Sequence, residues 1–157
     1  MSDIALSLDI DENKTELFTI RSNNGMSIEV DSNILRNSGL MQVVLQLVSR
    51  DKDCKEITLD LPYNLLLKSI EYLKHLDKNP PREIQKPVMD LTLKSVLSDW
   101  EIEFVDELMK EYELIFHMIN AANYLGIPSL MDICMAKIAS LIKFKKDEEL
   151  TQTINKL

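Results

Sequence analysis

From Leu17 to Asp31 apolar and polar residues alternate with a period of two: Phe18 and Ile20 against Thr19 and Arg21, then Met26, Ile28 and Val30 against Ser27 and Glu29. That period predicts two strands, and Asn23-Asn24-Gly25 between them supplies residues that tolerate positive φ, so the segment reads as a β-hairpin. Asp31 or Ser32 can cap the helix that follows. Its apolar positions, Ile34, Leu35, Met41, Val44, Leu45 and Val48, return at helical spacing, with Ser38-Gly39 expected to break it in two. Ile57, Leu59 and Leu61 alternate again as a third strand ending at Pro62, and Leu65, Leu66, Ile70, Leu73 and Leu76 mark an amphipathic helix that Pro80-Pro81 must stop.

Residues 79–94 carry three prolines, mixed charge and no sustained period, so they read as a linker between an α/β half and an all-helical half. The expected organisation is a flexible start over 1–14, an α/β half over 15–78, the linker over 79–94 and a helical half over 95–157. Beyond the linker, Val96, Leu97, Trp100 and Phe104 fit a short helix. From Leu114 to Leu125 apolar residues occupy nearly every side, the mark of a central, buried helix. After Gly126, Pro128 suits the first turn of a helix running to about Phe144. That helix carries two stripes: Leu130, Cys134 and Leu141 on one, and Met131, Met135, Ile138 and Ile142 on the other. One stripe can pack on the domain; the second calls for another partner. A last amphipathic helix is expected from Asp147-Glu148-Glu149, whose acids suit a helix N-terminus, with Leu150 and Ile154 on it.

Composition narrows the chemistry. The 157 residues contain only three glycines, Gly25, Gly39 and Gly126, so neither the Gly-rich dinucleotide loop nor the P-loop can be written. Eighteen Lys+Arg against 26 Asp+Glu leave a net charge of -8, which argues against a nucleic-acid backbone binder and for a neutral or basic protein partner. Lys143, Lys145 and Lys146 are too few for a nucleic-acid stripe, and interaction with a helix C-terminus accounts for them. Two distant cysteines, Cys54 and Cys134, suit a reducing cytoplasm or nucleus rather than a disulfide scaffold. Neither a signal-peptide pattern nor an apolar run of membrane-spanning length is present, so no membrane partner is expected.

Catalytic and metal chemistry find little support. His75 and His117 each sit in a helical pattern without a second ligand at metal spacing, and the acids Asp99, Glu101, Glu103, Asp106, Glu107, Glu111 and Glu113 form a run dense enough to be a solvated surface. The reading is therefore a non-catalytic protein with no metal and no cofactor.

Local strings add a resemblance. Ile20-Arg21-Ser22-Asn23-Asn24-Gly25 with Ile28-Glu29-Val30-Asp31, Lys68 through His75 to Pro80-Pro81, and Trp100, Glu103 and Phe104 each match stretches of one adaptor family. Ala121-Ala122-Asn123-Tyr124-Leu125 is the most specific match, and Leu130 to Lys145 continues it with Asp132, Ala139, Ile142 and Lys143 in place. Over about residues 16–155 the chain resembles the Skp adaptor family of SCF-type cullin-RING ubiquitin ligases.

The resemblance implies an α+β fold, a BTB/POZ-like domain with a small three-stranded sheet, followed by a helical extension that completes its core and binds F-box proteins. It places Asn123 and Tyr124, with Ile119, at a cullin interface, and Met131, Met135, Ile138 and Ile142, then Glu148, Leu150 and Ile154 on the next helix, against the F-box of substrate receptors. It implies cytoplasmic and nuclear localisation and leaves catalysis to other subunits. The chain departs from the family in four places. It ends at Leu157, where the family continues with a helix and a tryptophan-bearing acidic tail, which implies a weaker F-box grip or a surface supplied by the receptor. Residues 79–94 replace an acidic insertion, and Glu101 replaces an aspartate beside Trp100. Asn120 stands where an apolar residue is usual, and on a helix read as buried it needs a hydrogen-bond partner or an interface. The alternative is a diverged BTB-like scaffold that self-associates or serves a non-ligase assembly, and a weak homodimer of the partner-free chain stays open.

Overall fold

The computed structural model describes residues 16–48, 53–80, 96–111 and 113–155, of which 143–155 by backbone alone. The expected start over 1–14 and most of the expected linker lie outside those residues. The chain divides after Asn79 into two compact units.

The first unit is built on a three-stranded sheet of order β2-β1-β3. β1 (Leu17–Arg21) pairs antiparallel with β2 (Ser27–Asp31), Ile20 opposite Ile28 and Phe18 opposite Val30. Gly25, at φ +86°, closes the turn: its N–H donates to the Ser22 carbonyl, and the Ser22 N–H donates to the Met26 carbonyl at 2.7 Å. The two asparagines keep negative φ, so one left-handed position, at the glycine, suffices. Phe18, Ile20 and Val30 turn inward; Met26, in step with them by period, is exposed because it lies in the turn rather than on the strand. β3 (Glu56–Thr58) runs parallel to β1 on its other side, with Ile57 beside Ile20. It is shorter than the Ile57-Leu59-Leu61 pattern, yet all three of those side chains are buried. Leu59 N–H donates to the Arg21 carbonyl and Asn23 N–H to the Leu61 carbonyl, prolonging the ladder past the strand.

The helix after β2 is broken in two, as Ser38-Gly39 suggests. α1 (Ser32–Leu35) is capped by Asp31, whose carboxylate accepts from the Asn33 N–H at 2.8 Å. α2 (Gly39–Val48) starts at Ser38, whose hydroxyl accepts from the Met41 N–H. α3 (Tyr63–Lys78) buries Leu65, Leu66, Ile70, Tyr72, Leu73 and Leu76, each contributing about 1.5–3 kcal/mol of apolar transfer when fully withdrawn from water. The buried Ser69 hydroxyl donates to the Leu65 carbonyl, so its burial leaves no unmet polar group. α3 ends at Lys78, with the Asn79 N–H donating to the His75 carbonyl just before Pro80.

The second unit is helical. α4 (Asp99–Met109) opens with a capping box: Ser98 Oγ accepts from the Glu101 N–H, and the Glu101 carboxylate accepts from the Ser98 N–H at 2.8 Å. The glutamate beside Trp100 is therefore of the length that reaches back to the cap. Trp100 stacks on Phe104 one turn later, centroids 5.1 Å apart. α5 (Leu114–Leu125) ends on Gly126 at φ +68°, and the Ile127 N–H bonds back to the Ala122 carbonyl, a Schellman closure only a left-handed residue permits. Pro128 then opens α6 (Pro128–Asn155). α4, α5 and α6 pack on one another around Val105, Leu108, Ile115, Met118, Ala122, Leu130 and Ile133, all fully buried. Lys137 Nζ lies 2.8 Å from Asp106 Oδ1, pinning α6 to α4.

Two expectations need correction. α5 is not buried all round: Phe116, Asn120, Asn123 and Tyr124 are exposed on it. α6 is one unbroken helix to Asn155, not two: Phe144–Asp147 contains neither proline nor glycine, and its lysines are good helix formers, so the acids at 147–149 lie mid-helix rather than at an N-terminus.

Candidate functional site: two uncovered helix faces

The site is built on α5 and α6, joined through the Gly126 turn and a shared core. On α6, one side is sealed: Leu130, Ile133, Cys134 and Ala136 are buried. Burial pushes the Cys134 thiol from its ordinary 9.0 up to about 12, as expected of a sulfur with no water around its charged form. The second stripe faces outward. Met135 is 49% exposed and Ile142 62%, with Met131 and Ile138 half-buried between them. At roughly 100° per residue these four fall within about 60° of arc, one narrow apolar ridge. Leu141, expected on the packed stripe, is only half-buried, because the packing thins toward the end of the sealed face.

Glu148, Leu150 and Ile154 belong to α6 itself rather than to a following helix. In one continuous helix the positions of Leu150 and Ile154 lie roughly 100–140° round from the ridge, on a neighbouring face.

α5 is amphipathic in fact though not in composition. Ile115, Met118, Ala121, Ala122 and Leu125 line its buried side, while Phe116, Asn120, Asn123 and Tyr124 are exposed and Ile119 is half-buried. Asn120 meets water, so the burial problem it posed does not arise. Ile119, Asn123 and Tyr124 thus lie on the side of α5 away from its buried residues. Phe116, 48% exposed, shares that face and escaped the sequence reading, because a phenylalanine in an apolar run reads as core. The polar His117, Asn120 and Asn123, one, four and seven residues on from it, betray the wet side.

Reactive chemistry is sparse around these faces. Among the described residues no group of three His, Cys, Asp or Glu side chains could hold a metal ion, and no helix is long and apolar enough to cross a membrane. His117 is exposed, and His75 packs beside Tyr72 with Asn79 Nδ2 3.3 Å from its Nδ1, a capping contact at the end of α3. Of the acids on and around α4, Glu101 caps the helix and Asp106 holds Lys137. What the arrangement offers is surface: one exposed face on α5 and one outward apolar ridge on α6.

No family model matches the chain. Curated proteins do. It is 36% identical over 129 residues to the S-phase kinase-associated protein 1 homolog of Tetrahymena thermophila, covering 82% of this chain and 75% of that one. It is 31% identical over 144 residues to the SKP1-like protein 11 of Arabidopsis thaliana, covering 90% and 84%. The E3 ubiquitin ligase complex SCF subunit sconC of Arthroderma otae is 28% identical over 141 residues, covering 90% and 83%. With a three-stranded sheet, a helical second unit and likeness along most of its length to these proteins, the chain belongs to the Skp family of SCF-complex subunits.

Proposed function

We propose that this chain is the adaptor subunit of an SCF-type ubiquitin ligase and bridges a cullin to F-box substrate receptors. The observation that carries the reading is the uncovered apolar ridge of Met131, Met135, Ile138 and Ile142, at the positions the family resemblance assigns to the F-box. A stripe of this kind costs solubility unless something covers it, and a receptor helix laid along α6 would bury it. The α5 face with Ile119, Asn123 and Tyr124 is the cullin surface, with Phe116 as a further anchor on it. Glu148, Leu150 and Ile154 add receptor contacts on the faces of α6 to either side of the ridge. The subunit holds its partners together and does no bond chemistry itself, which fits side chains engaged in caps, ion pairs and packing. It works in the cytoplasm and nucleus, where reduced cysteines are stable.

The test is purification of the full chain from its own cells with two variants beside it. Asn123→Asp with Tyr124→Asp should lose the cullin and keep the receptors; Ile142→Asp should do the reverse, and neither should alter the far-ultraviolet circular dichroism. Each loss should reach tenfold or more, because both changes put a charge into a contact that must shed water. Cullin and receptors recovered undiminished with both variants would refute the assignment.

A further inference from the structure

The start of the chain carries a pattern that neither proposed partner face uses. Ile4, Leu6, Leu8 and Ile10 alternate with Ala5, Ser7 and Asp9, the same period of two that predicts β1 and β2. A helix would split those four apolar residues between opposite sides, whereas an extended strand gathers them on one face.

β2 offers an edge that such a strand can use, being an end strand of the sheet. The Ser22 N–H donates to the Met26 carbonyl and the Ser32 N–H to the Glu16 carbonyl, so in the alternation of an antiparallel pair Ile28 and Val30 bond to β1. The N–H and C=O groups of Ser27 and Glu29, with the Asp31 N–H, therefore point away from β1 along the outer edge. The buried face of the sheet is also thinly covered there. Ile28 lies beside the fully buried Ile20 yet is itself only half-buried, while Ile57 on the other side of Ile20 is 7% exposed.

We propose that residues 4–10 dock in cis as a fourth strand along this edge, parallel to β2, bonding the outward backbone groups of Ser27, Glu29 and Asp31 and extending the buried face beyond Ile28 and Val30. Three observations choose this occupant. The chain enters β1 from the β2 side: the Glu16 N–H donates to Ser32 Oγ at 3.2 Å, and its carbonyl accepts from the Ser32 N–H at 2.8 Å. The tether reaches. A parallel strand with Leu6 beside Ile28 sets Ile10 level with Ser32 and so with Glu16; the six residue steps from Ile10 to Glu16 span up to about 20 Å, against about 10 Å from β1 to a place beyond β2. The phase also fits, because residues opposite one another in paired strands face the same side. With Leu6 and Leu8 beside Ile28 and Val30, the small Ala5 and Ser7 fall on the solvent face beside Ser27 and Glu29.

The experiment is residue-resolved amide hydrogen exchange, followed by nuclear magnetic resonance on the full chain, with a Leu6→Asp, Leu8→Asp double variant and a Ser7→Lys variant beside the wild type. The Ser27, Glu29 and Asp31 amides should exchange at least about tenfold more slowly in the wild type and in Ser7→Lys than in the double variant. The Ile28 and Val30 amides, bonded to β1, should stay slow in all three, which shows that the sheet itself is intact. Equal exchange of Ser27, Glu29 and Asp31 in the wild type and the double variant overturns the proposal, and loss of protection in Ser7→Lys overturns the assigned phase and the proposal with it. Protection that fades on tenfold dilution gives the edge to a second copy and overturns the pairing in cis. A double variant that leaves Glu29 unchanged but shifts the resonances of the exposed Val43 and Leu47 puts the segment on α2 instead, and the β2 edge is then refuted.

Discussion

Cys134 shows how much a single side chain reports. It sits on the sealed side of α6 with no exposed surface, and its thiol is held at about 12 by desolvation. Because the folded pKa is raised above the unfolded one, the folded state keeps its proton longer. Its contribution to stability is whole below pH about 9 and drains away as pH rises toward 12. The unfolding midpoint in denaturant should therefore fall over that window in the wild type and fall less in Cys134→Ala. A thiol reagent at pH 8 should reach the half-buried Cys54 in the native chain and Cys134 only after unfolding. Equal native reactivity of both thiols would contradict the packing of α6. Some residue roles were readable from neighbours alone: Asp31 as a cap, Gly25 and Gly126 as turns. Met26 and Phe116 were not, because each is apolar and in phase with a buried pattern. Only its position in the turn or on the helix's wet side separates it from core.

The difference between the two stripes of α6 is an energetic one. Ile133→Ala removes a fully buried side chain and should cost about 2–5 kcal/mol of unfolding free energy. Ile142→Ala, on the outward ridge, should cost within about 0.5 kcal/mol in the free chain while weakening receptor binding. Denaturant titrations of both variants check this, and a large loss from Ile142→Ala alone would mean that the ridge is internal packing. Periodicity separated these stripes from sequence because polar residues fall between them. It failed on α5, where His117, Asn120 and Asn123 were too few to outweigh an apolar run, although they mark its wet side. It also placed a break after Phe144, where acids resembled a helix start. Acids favour an N-terminus without creating one, and nothing in Phe144–Asp147 terminates the helix.

At the scale of the molecule, charge and apolar surface oppose each other. A net charge of -8 keeps apart chains that expose Val43, Leu47, Phe116, Met135 and Ile142, and with a pI near 4.8 that protection vanishes in mild acid. Solubility should pass through a minimum near pH 4.8, sharper for the wild type than for a Leu47→Glu, Ile142→Glu double variant; light scattering across pH 4–7 measures it, and matching profiles would show that these patches do not drive association. Composition and order of elements made the α+β class legible, and short strings made the family legible. What they could not give was which apolar residues of α5 stay wet, since that depends on the packing of α4, α5 and α6 rather than on any one segment.

The unbroken course of α6 also ties its two ends in phase. Over its 28 residues, about 42 Å at 1.5 Å each, every position has a fixed angular setting relative to Met131. A jointed pair of helices can swivel to meet partners of different shape; a single rod cannot. Losing or gaining one residue near Phe144 would turn everything downstream by about 100° while leaving the sealed core untouched. Spacing along this helix is therefore itself a specification, and what binds there must match its pitch as well as its chemistry.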